Sequence, residues 1–207
     1  MGNFAYLGRY DFSSVMSGSR DAGHFARIYQ FNPDPWGFCT DPYEQAKYCH
    51  LIEILGGRRF ASGLEVGCSI GVLTHMVAPL CDTMLAVDLV EQPLEAARSR
   101  CADQPWVRFQ RMRVPGEWPD RRFDLILLSE VLYFLSPADI DRCAARVTDS
   151  LLPNANVLLV NWLGRSDDPC SGDEAADRFI AAAAGVLPVA QQDRRPGYKL
   201  DLLAAPR

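Results

Sequence analysis

The spacing of apolar positions changes character along this chain, and the changes predict its elements. Residues 1–30 mix Gly, Ser, Asp and aromatic side chains with weak periodicity, which predicts an irregular or partly helical extension. Asn32-Pro33-Asp34-Pro35-Trp36-Gly37 is a turn signal with an aromatic anchor. A helix is expected from Asp41-Pro42, where Asp caps and Pro suits the first helical position. Its apolar side runs through Tyr48, Leu51, Ile52 and Leu55, and Gly56-Gly57 ends it. Beyond that point short apolar runs alternate with helical periodicity, the signature of βαβ units and a parallel sheet. Strands are predicted over 63–67, 84–88, 107–111, 123–128 and 156–162, with helices over 71–80, 92–101, 137–151 (capped by Ser136) and 173–184. The 115–119 stretch has room for a single helical turn. The run over 123–128 is continuously apolar, as a central strand covered on both faces requires. Segments 186–193 and 198–204 flank Arg195-Pro196-Gly197 and predict a hairpin, so the sheet should end with one antiparallel strand. The expectation is an α/β fold with a seven-stranded, mostly parallel sheet and helices on both faces. Residues 1–40 form an extension or lid, and 41–207 the main domain.

Composition narrows the function classes. A length of 207 residues suits one domain, and 48% hydrophobic with 23% charged residues is ordinary for a globular chain. The formal net charge of -5 gives no electrostatic drive toward nucleic acid, which clustered Lys and Arg would supply. The seven cysteines form no CxxC pair, so they predict free thiols in a reducing cytoplasm, neither a disulfide framework nor a zinc site. No apolar run reaches about 18 residues, so no membrane span is expected. The same reading favours a monomer.

The chemistry concentrates in Leu64-Glu65-Val66-Gly67-Cys68-Ser69-Ile70-Gly71-Val72-Leu73-Thr74, where the first predicted strand turns into a helix. Ligands of open parallel sheets bind at the carboxyl ends of the strands, near such a turn. A dinucleotide loop requires Gly-x-Gly-x-x-Gly, and here Ser69 and Val72 stand at the second and third glycine positions. A nicotinamide-dependent oxidoreductase is therefore disfavoured. The spacing Glu-x-Gly-x-(Gly/Ser)-x-Gly does fit, at Glu65, Gly67, Ser69 and Gly71. Leu85-Ala86-Val87-Asp88 is an apolar strand ending in an acid about 20 residues on, placed to accept ribose hydroxyls. Alone, Asp88 also fits a helix cap. A third segment, Phe123 to Leu135, carries Ser129, Glu130 and Tyr133 at the end of the central strand.

The glycine loop resembles that of class I S-adenosyl-L-methionine-dependent methyltransferases, and Phe123 to Leu135 resembles their fourth strand and following loop. The resemblance implies a Rossmann-like methyltransferase fold with S-adenosyl-L-methionine held by Glu65, Gly67, Cys68, Ser69, Gly71, Asp88, Leu89, Ser129 and Glu130. Many members of that class place an acid after the third strand, facing the adenine. This chain has Arg111-Met112-Arg113-Val114, so Met112 is expected to cover the adenine face and backbone near Arg113 to take its hydrogen bond.

A narrower resemblance rests on Asp34-Pro35-Trp36, Tyr43-Glu44-Gln45-Ala46-Lys47-Tyr48, Leu64 to Thr74 and Ser129-Glu130-Val131-Leu132-Tyr133-Phe134-Leu135. These segments are similar to the nodulation protein S family across roughly residues 32–165. The resemblance implies an N-methyltransferase whose acceptor is the free amine of a deacetylated chitooligosaccharide or a related amino sugar. In the physical reading, Trp36 and Tyr43 close over the cofactor and exclude water, and Lys47 reaches its methionine carboxylate. The plainer alternative is that Trp36, Tyr43 and Tyr48 staple a helix to the sheet. Glu130 is the candidate to bind the acceptor ammonium and help remove its proton, with Tyr133 as a hydrogen-bonding partner. His24 reaches the site only if the extension folds over it, and His75 reads as structural. With no ligand-spaced His/Cys/Asp set, metal-dependent O-methylation is disfavoured. A metal-free O- or N-methyltransferase with a different acceptor, and a non-catalytic binding protein on the same fold, are the competing readings.

Overall fold

The computed structural model describes residues 18–206. The first seventeen residues of the expected extension lie outside that range. The rest of the extension contains a helix, α1 (Ala22–Phe31), capped by the Asp21 carboxylate on the His24 N–H. Helix α2 (Pro42–Ile54) starts where Asp41 caps it and Pro42 opens it, as read from the sequence.

Seven strands then follow: β1 (Phe60–Val66), β2 (Cys81–Asp88), β3 (Val107–Arg111), β4 (Phe123–Ser129), β5 (Leu151–Trp162), β6 (Val189–Arg194) and β7 (Tyr198–Ala204). They form one sheet in the order β3-β2-β1-β4-β5-β7-β6. Helices α3 (Val72–Val77) and α4 (Glu91–Arg100) connect β1 to β2 and β2 to β3, while α5 (Pro137–Asp149) and α6 (Gly172–Ala183) flank β5 in sequence.

Several boundaries differ from expectation. Strands β1, β2 and β5 begin three to five residues early, because pairing continues past the apolar run. Phe60 pairs with Cys81, and the Asp124 carboxylate accepts the N–H groups of Ala61 and Ser62 at 2.9 and 2.8 Å. The helix expected over 71–80 is α-helical only to Val77. It tightens into a 3₁₀ turn at Ala78–Leu80, where Pro79 has no N–H to continue the ladder. The antiparallel strand is β7, but it does not end the sheet. It lies between β5 and β6 and pairs antiparallel with both, so β6 forms the edge.

Both faces of the sheet are covered. Leu64, Val66, Val87, Ile126, Leu128 and Leu159 pack against Ile140, Cys143 and Val147 of α5 and Phe179 of α6. On the other face Met84, Leu125, Leu127, Leu158 and Leu200 meet Leu51 of α2 and Leu73 and Val77 of α3. The chain runs outward from β1 to β3, then returns to place β4 on the other side of β1. The loops after β1 and β4 therefore diverge and leave a crevice at the carboxyl ends of these two strands.

Candidate functional site

The turn after β1 is held by backbone geometry that glycine permits. Gly67 and Gly71 adopt φ of 77° and 75°, and Ser69 lies at 49° between them. A Cβ on Gly67 would sit 2.3 Å from Val131 Cγ2, and one on Gly71 would sit 2.8 Å from Ala97 Cβ. The turn thus fits between the loop after β4 and the body of α4. The N–H groups of Gly67 and Cys68 both donate to the Val87 carbonyl, at 2.8 and 3.0 Å.

Two acids end neighbouring strands here. Asp88 accepts the Ser69 N–H at 2.9 Å and the Val90 N–H at 3.0 Å, tying the glycine turn to the end of β2. Burial raises its carboxyl above the ordinary range, against the pull of these backbone donors. Glu65 is 2% exposed and accepts a 2.6 Å bond from the Thr74 hydroxyl. Burial pushes its carboxyl up to about 7.

Above the turn lies a cavity of about 400 Å³. Its floor is Glu65, Gly67, Cys68 and Ser69, with Asp88 and Leu89 at one side and Ser129, Glu130 and Tyr133 at the other. The loop after β3, Arg113 to Gly116, forms a further wall. Trp36, 36% exposed, closes the edge, with its ring on Tyr29 and stacked on Phe38.

Four residues expected at the cofactor stand elsewhere. Gly71 lies beneath the turn against α4. Met112 is buried in the core and does not reach the cavity, because its N–H continues the ladder to the Asp88 carbonyl at 2.9 Å. The Tyr43 ring packs on Tyr198, against Gly197. Lys47, expected at a cofactor carboxylate, is 1% exposed and has its ammonium 2.6 Å from Glu130 Oε2 and 2.7 Å from Glu44 Oε2. Burial raises the Glu44 carboxyl, and Lys47 opposes that rise. His24 does not line the cavity; its ring stands perpendicular to that of Phe25, which does. His75 sits at the surface, 3.5 Å from Asp103. Among the described residues no cluster of three or more metal-type ligands occurs, and no helix is long and apolar enough to cross a membrane. All seven cysteines are free, five of them buried.

Sequence reasoning missed Tyr29 and Phe25, both from α1, and the pairing of Glu44 with Lys47. The signal for α1 was the Asp21 cap ahead of apolar positions Phe25, Ile28 and Tyr29. The signal for the ion pair was its i,i+3 spacing.

The nodulation protein S (NodS) family model matches residues 29–170, more than half of the chain. The chain belongs to the NodS family. Among its relatives, nodulation protein S of Bradyrhizobium diazoefficiens is 33% identical over 129 residues, covering 61% of each protein. That of Sinorhizobium fredii is 28% identical over 120 residues, covering 58% of this chain and 56% of the relative. The chain thus aligns with about three fifths of the length of these NodS relatives. In three dimensions it is similar to the N-methyltransferase NodS from Bradyrhizobium japonicum WM9, crystallised in complex with S-adenosyl-L-homocysteine. The TM-score is 0.79 at 19% identity, covering 89% of this chain and 98% of that one. A putative methyltransferase from Pseudomonas syringae matches at TM-score 0.66 and 29% identity, covering 78% and 98%. The Rossmann-like methyltransferase architecture expected from the sequence is the one this chain adopts.

Proposed function

We propose that the protein is an S-adenosyl-L-methionine-dependent N-methyltransferase whose acceptor is the free amine of a deacetylated chitooligosaccharide or a related amino sugar. The observation that carries this reading is Glu130. Its carboxylate borders the cavity opposite Asp88, and its Oε1 is shielded from water with no hydrogen-bond partner. A buried oxygen left without a donor calls for one from a ligand.

The residues present fit the cofactor. Gly67 brings side-chain-free backbone to the cavity wall, and Asp88 sits where ribose hydroxyls can be accepted. Glu65 supplies a carboxylate below the turn for the cofactor's ammonium end. Arg113 to Gly116 and Leu89 offer backbone and apolar contacts to a purine. When bound, the cofactor supplies a methyl group on a positively charged sulfur. Glu130 binds the acceptor's ammonium at Oε1, orients it and takes up its proton. Tyr133 lies in the same wall and is available to hydrogen-bond the acceptor. Trp36 and the aromatic residues of α1 keep water from the reacting centre, where positioning and desolvation supply most of the acceleration. The similar Bradyrhizobium japonicum protein, an N-methyltransferase crystallised with S-adenosyl-L-homocysteine, supports both the cofactor and the amine.

Calorimetry with S-adenosyl-L-homocysteine, followed by transfer assays on glucosamine oligomers, other amines and hydroxyl acceptors, tests the reading. Glu130→Gln should keep product affinity within about twofold and lose turnover on the order of a hundred- to ten-thousand-fold. Unchanged turnover in that variant overturns the role of Glu130, and absence of product binding overturns the cofactor.

A further inference from the structure

Glu130 belongs to a buried ion cluster with two residues of α2. Helix α2 presents Tyr43, Glu44, Lys47 and Tyr48 on one side, at spacings that share a helix face. The Lys47 ammonium lies between Glu44 Oε2 at 2.7 Å and Glu130 Oε2 at 2.6 Å, and over the Tyr43 and Tyr48 rings at 5.4 and 5.7 Å from their centroids. Glu44 and Lys47 are both buried. Glu130 holds a left-handed backbone, φ 58°, and its N–H donates to the Val160 carbonyl at 2.7 Å. Such a conformation persists only where surrounding contacts impose it.

With both carboxyls ionised, one ammonium against two carboxylates leaves a net charge of −1 in a largely dehydrated place. Buried charge without a counter-ion is costly. Of the three charged groups only Glu130 lines the cavity, and its Oε1 is buried without a hydrogen-bond partner. An acceptor bearing a positive charge there completes the cluster at two cations and two anions. A hydroxyl acceptor does not.

Resting on the proposed N-methyl transfer, we infer that Glu44 and Lys47 set acceptor specificity: Lys47 fixes the Glu130 carboxylate, and Glu44 supplies the excess negative charge that makes the site select an ammonium. Both are positioning residues, since neither lines the cavity. Lys47 holds one Glu130 oxygen and so aims the other. Glu44 cancels the charge of Lys47, which would otherwise neutralise Glu130 and leave no net attraction for the acceptor.

The test compares wild type, E44Q, K47R, K47M and the double variant E44Q/K47M as full chains. A deacetylated chitooligosaccharide is the acceptor probe, its affinity read by calorimetry in the presence of S-adenosyl-L-homocysteine. The kcat and KM for transfer are measured alongside. E44Q should weaken acceptor binding and raise KM about tenfold, with kcat within about threefold and product affinity unchanged. K47M should lower kcat on the order of a hundredfold, and K47R should restore most of it. The double variant returns the net charge to −1, so its acceptor affinity should lie closer to wild type than that of E44Q. That recovery is not expected of groups that merely support the fold, and it survives any instability of K47M alone. Wild-type acceptor affinity in E44Q, or a double variant weaker than E44Q, overturns the inference while leaving the methyltransferase reading intact. A wild-type protein that binds S-adenosyl-L-homocysteine but methylates no amine overturns both.

Discussion

The hydroxyls of Tyr29 and Ser69 lie 2.6 Å apart and are both buried. This bond joins α1, part of the N-terminal extension, directly to the glycine turn after β1. The Gln92 amide donates to the Tyr29 carbonyl at 3.1 Å and fixes the same helix to α4. At its other end the Arg20 guanidinium donates to Asp168 Oδ1 at 2.9 Å, and the Arg20 N–H donates to the Phe134 carbonyl at 2.8 Å. The segment therefore spans the cavity and is tied at both sides. Burial raises the Tyr29 phenol far above its ordinary range, so it remains a neutral hydroxyl at every working pH.

Tyr29→Phe removes one member of that pair and leaves the Ser69 hydroxyl buried without its partner. A loss of about 1–2 kcal/mol follows from the missing bond and the stranded group. It falls on the contact between α1 and the turn, not on the sheet core. S-adenosyl-L-homocysteine affinity should drop about tenfold by calorimetry, with little change in the cooperative melt. Undiminished affinity would show that α1 does not brace the turn.

Glu65 makes stability depend on pH with a definite sign. Its folded carboxyl titrates near 7, above the ordinary value of 4.5 that the unfolded chain retains. Between those values the folded state holds a proton that the unfolded state lacks. The contribution is complete below about pH 4.5 and is lost as pH rises through about 7, on the order of 3 kcal/mol in total. Glu65→Gln does not titrate, so its melting temperature should fall less than that of wild type between pH 5 and 8. The variant should be the more stable protein at pH 8. Asp88 and Glu44, also raised, act in the same direction in both proteins and cancel from the comparison. Parallel melting curves across that pH range contradict the assignment.

Which of these features the sequence could announce follows from their physical origin. Gly67, Gly71 and Asp88 were legible because the turn is local, and its residue types answer to backbone conformation and strand ends. The strand cores were legible for the same reason, whereas their early starts depend on a partner such as Asp124, 62 or 63 positions away. Tyr29 was not legible as a brace, because its partner lies 40 residues on and a tyrosine in a short amphipathic helix has many uses. Lys47 was misplaced because a long cation beside a predicted cofactor suggests an anion on the ligand. Only the tertiary arrangement brings Glu130 to it from 83 residues away. Met112 was misplaced because the chain keeps its strand pairing one residue past β3, which turns the side chain inward.

Two glycines separate backbone strain from close packing. Gly57 and Gly71 both have left-handed φ, 67° and 75°. A Cβ on Gly57 meets nothing within 4 Å, whereas one on Gly71 meets Ala97 Cβ at 2.8 Å and Cα at 2.9 Å. Gly57→Ala should cost about 1 kcal/mol, from conformation alone. Gly71→Ala adds overpacking against α4, for about 2–4 kcal/mol in all, and should displace the turn. Chemical denaturation measures the first difference, and S-adenosyl-L-homocysteine binding should be lost only in the second variant. Equal destabilisation by the two substitutions would mean that the packing against Ala97 contributes nothing.

Asp88 joins two roles that one substitution can separate from catalysis. Its two oxygens accept the Ser69 and Val90 N–H groups, so the carboxylate both shapes the turn and faces the cavity. In Asp88→Asn the amide has a single accepting oxygen, and its NH₂ must confront one of those two donors. One backbone N–H loses its partner, at a cost of about 1–3 kcal/mol. The acceptor for ribose hydroxyls is weakened at the same time. Affinity for S-adenosyl-L-homocysteine should fall at least tenfold, and affinity for methylthioadenosine should fall equally, because both ligands carry the ribose. Glu130→Gln should disturb neither affinity. If methylthioadenosine binds Asp88→Asn as tightly as wild type while S-adenosyl-L-homocysteine does not, the carboxylate serves the amino-acid end of the ligand, and the orientation proposed for the cofactor is reversed.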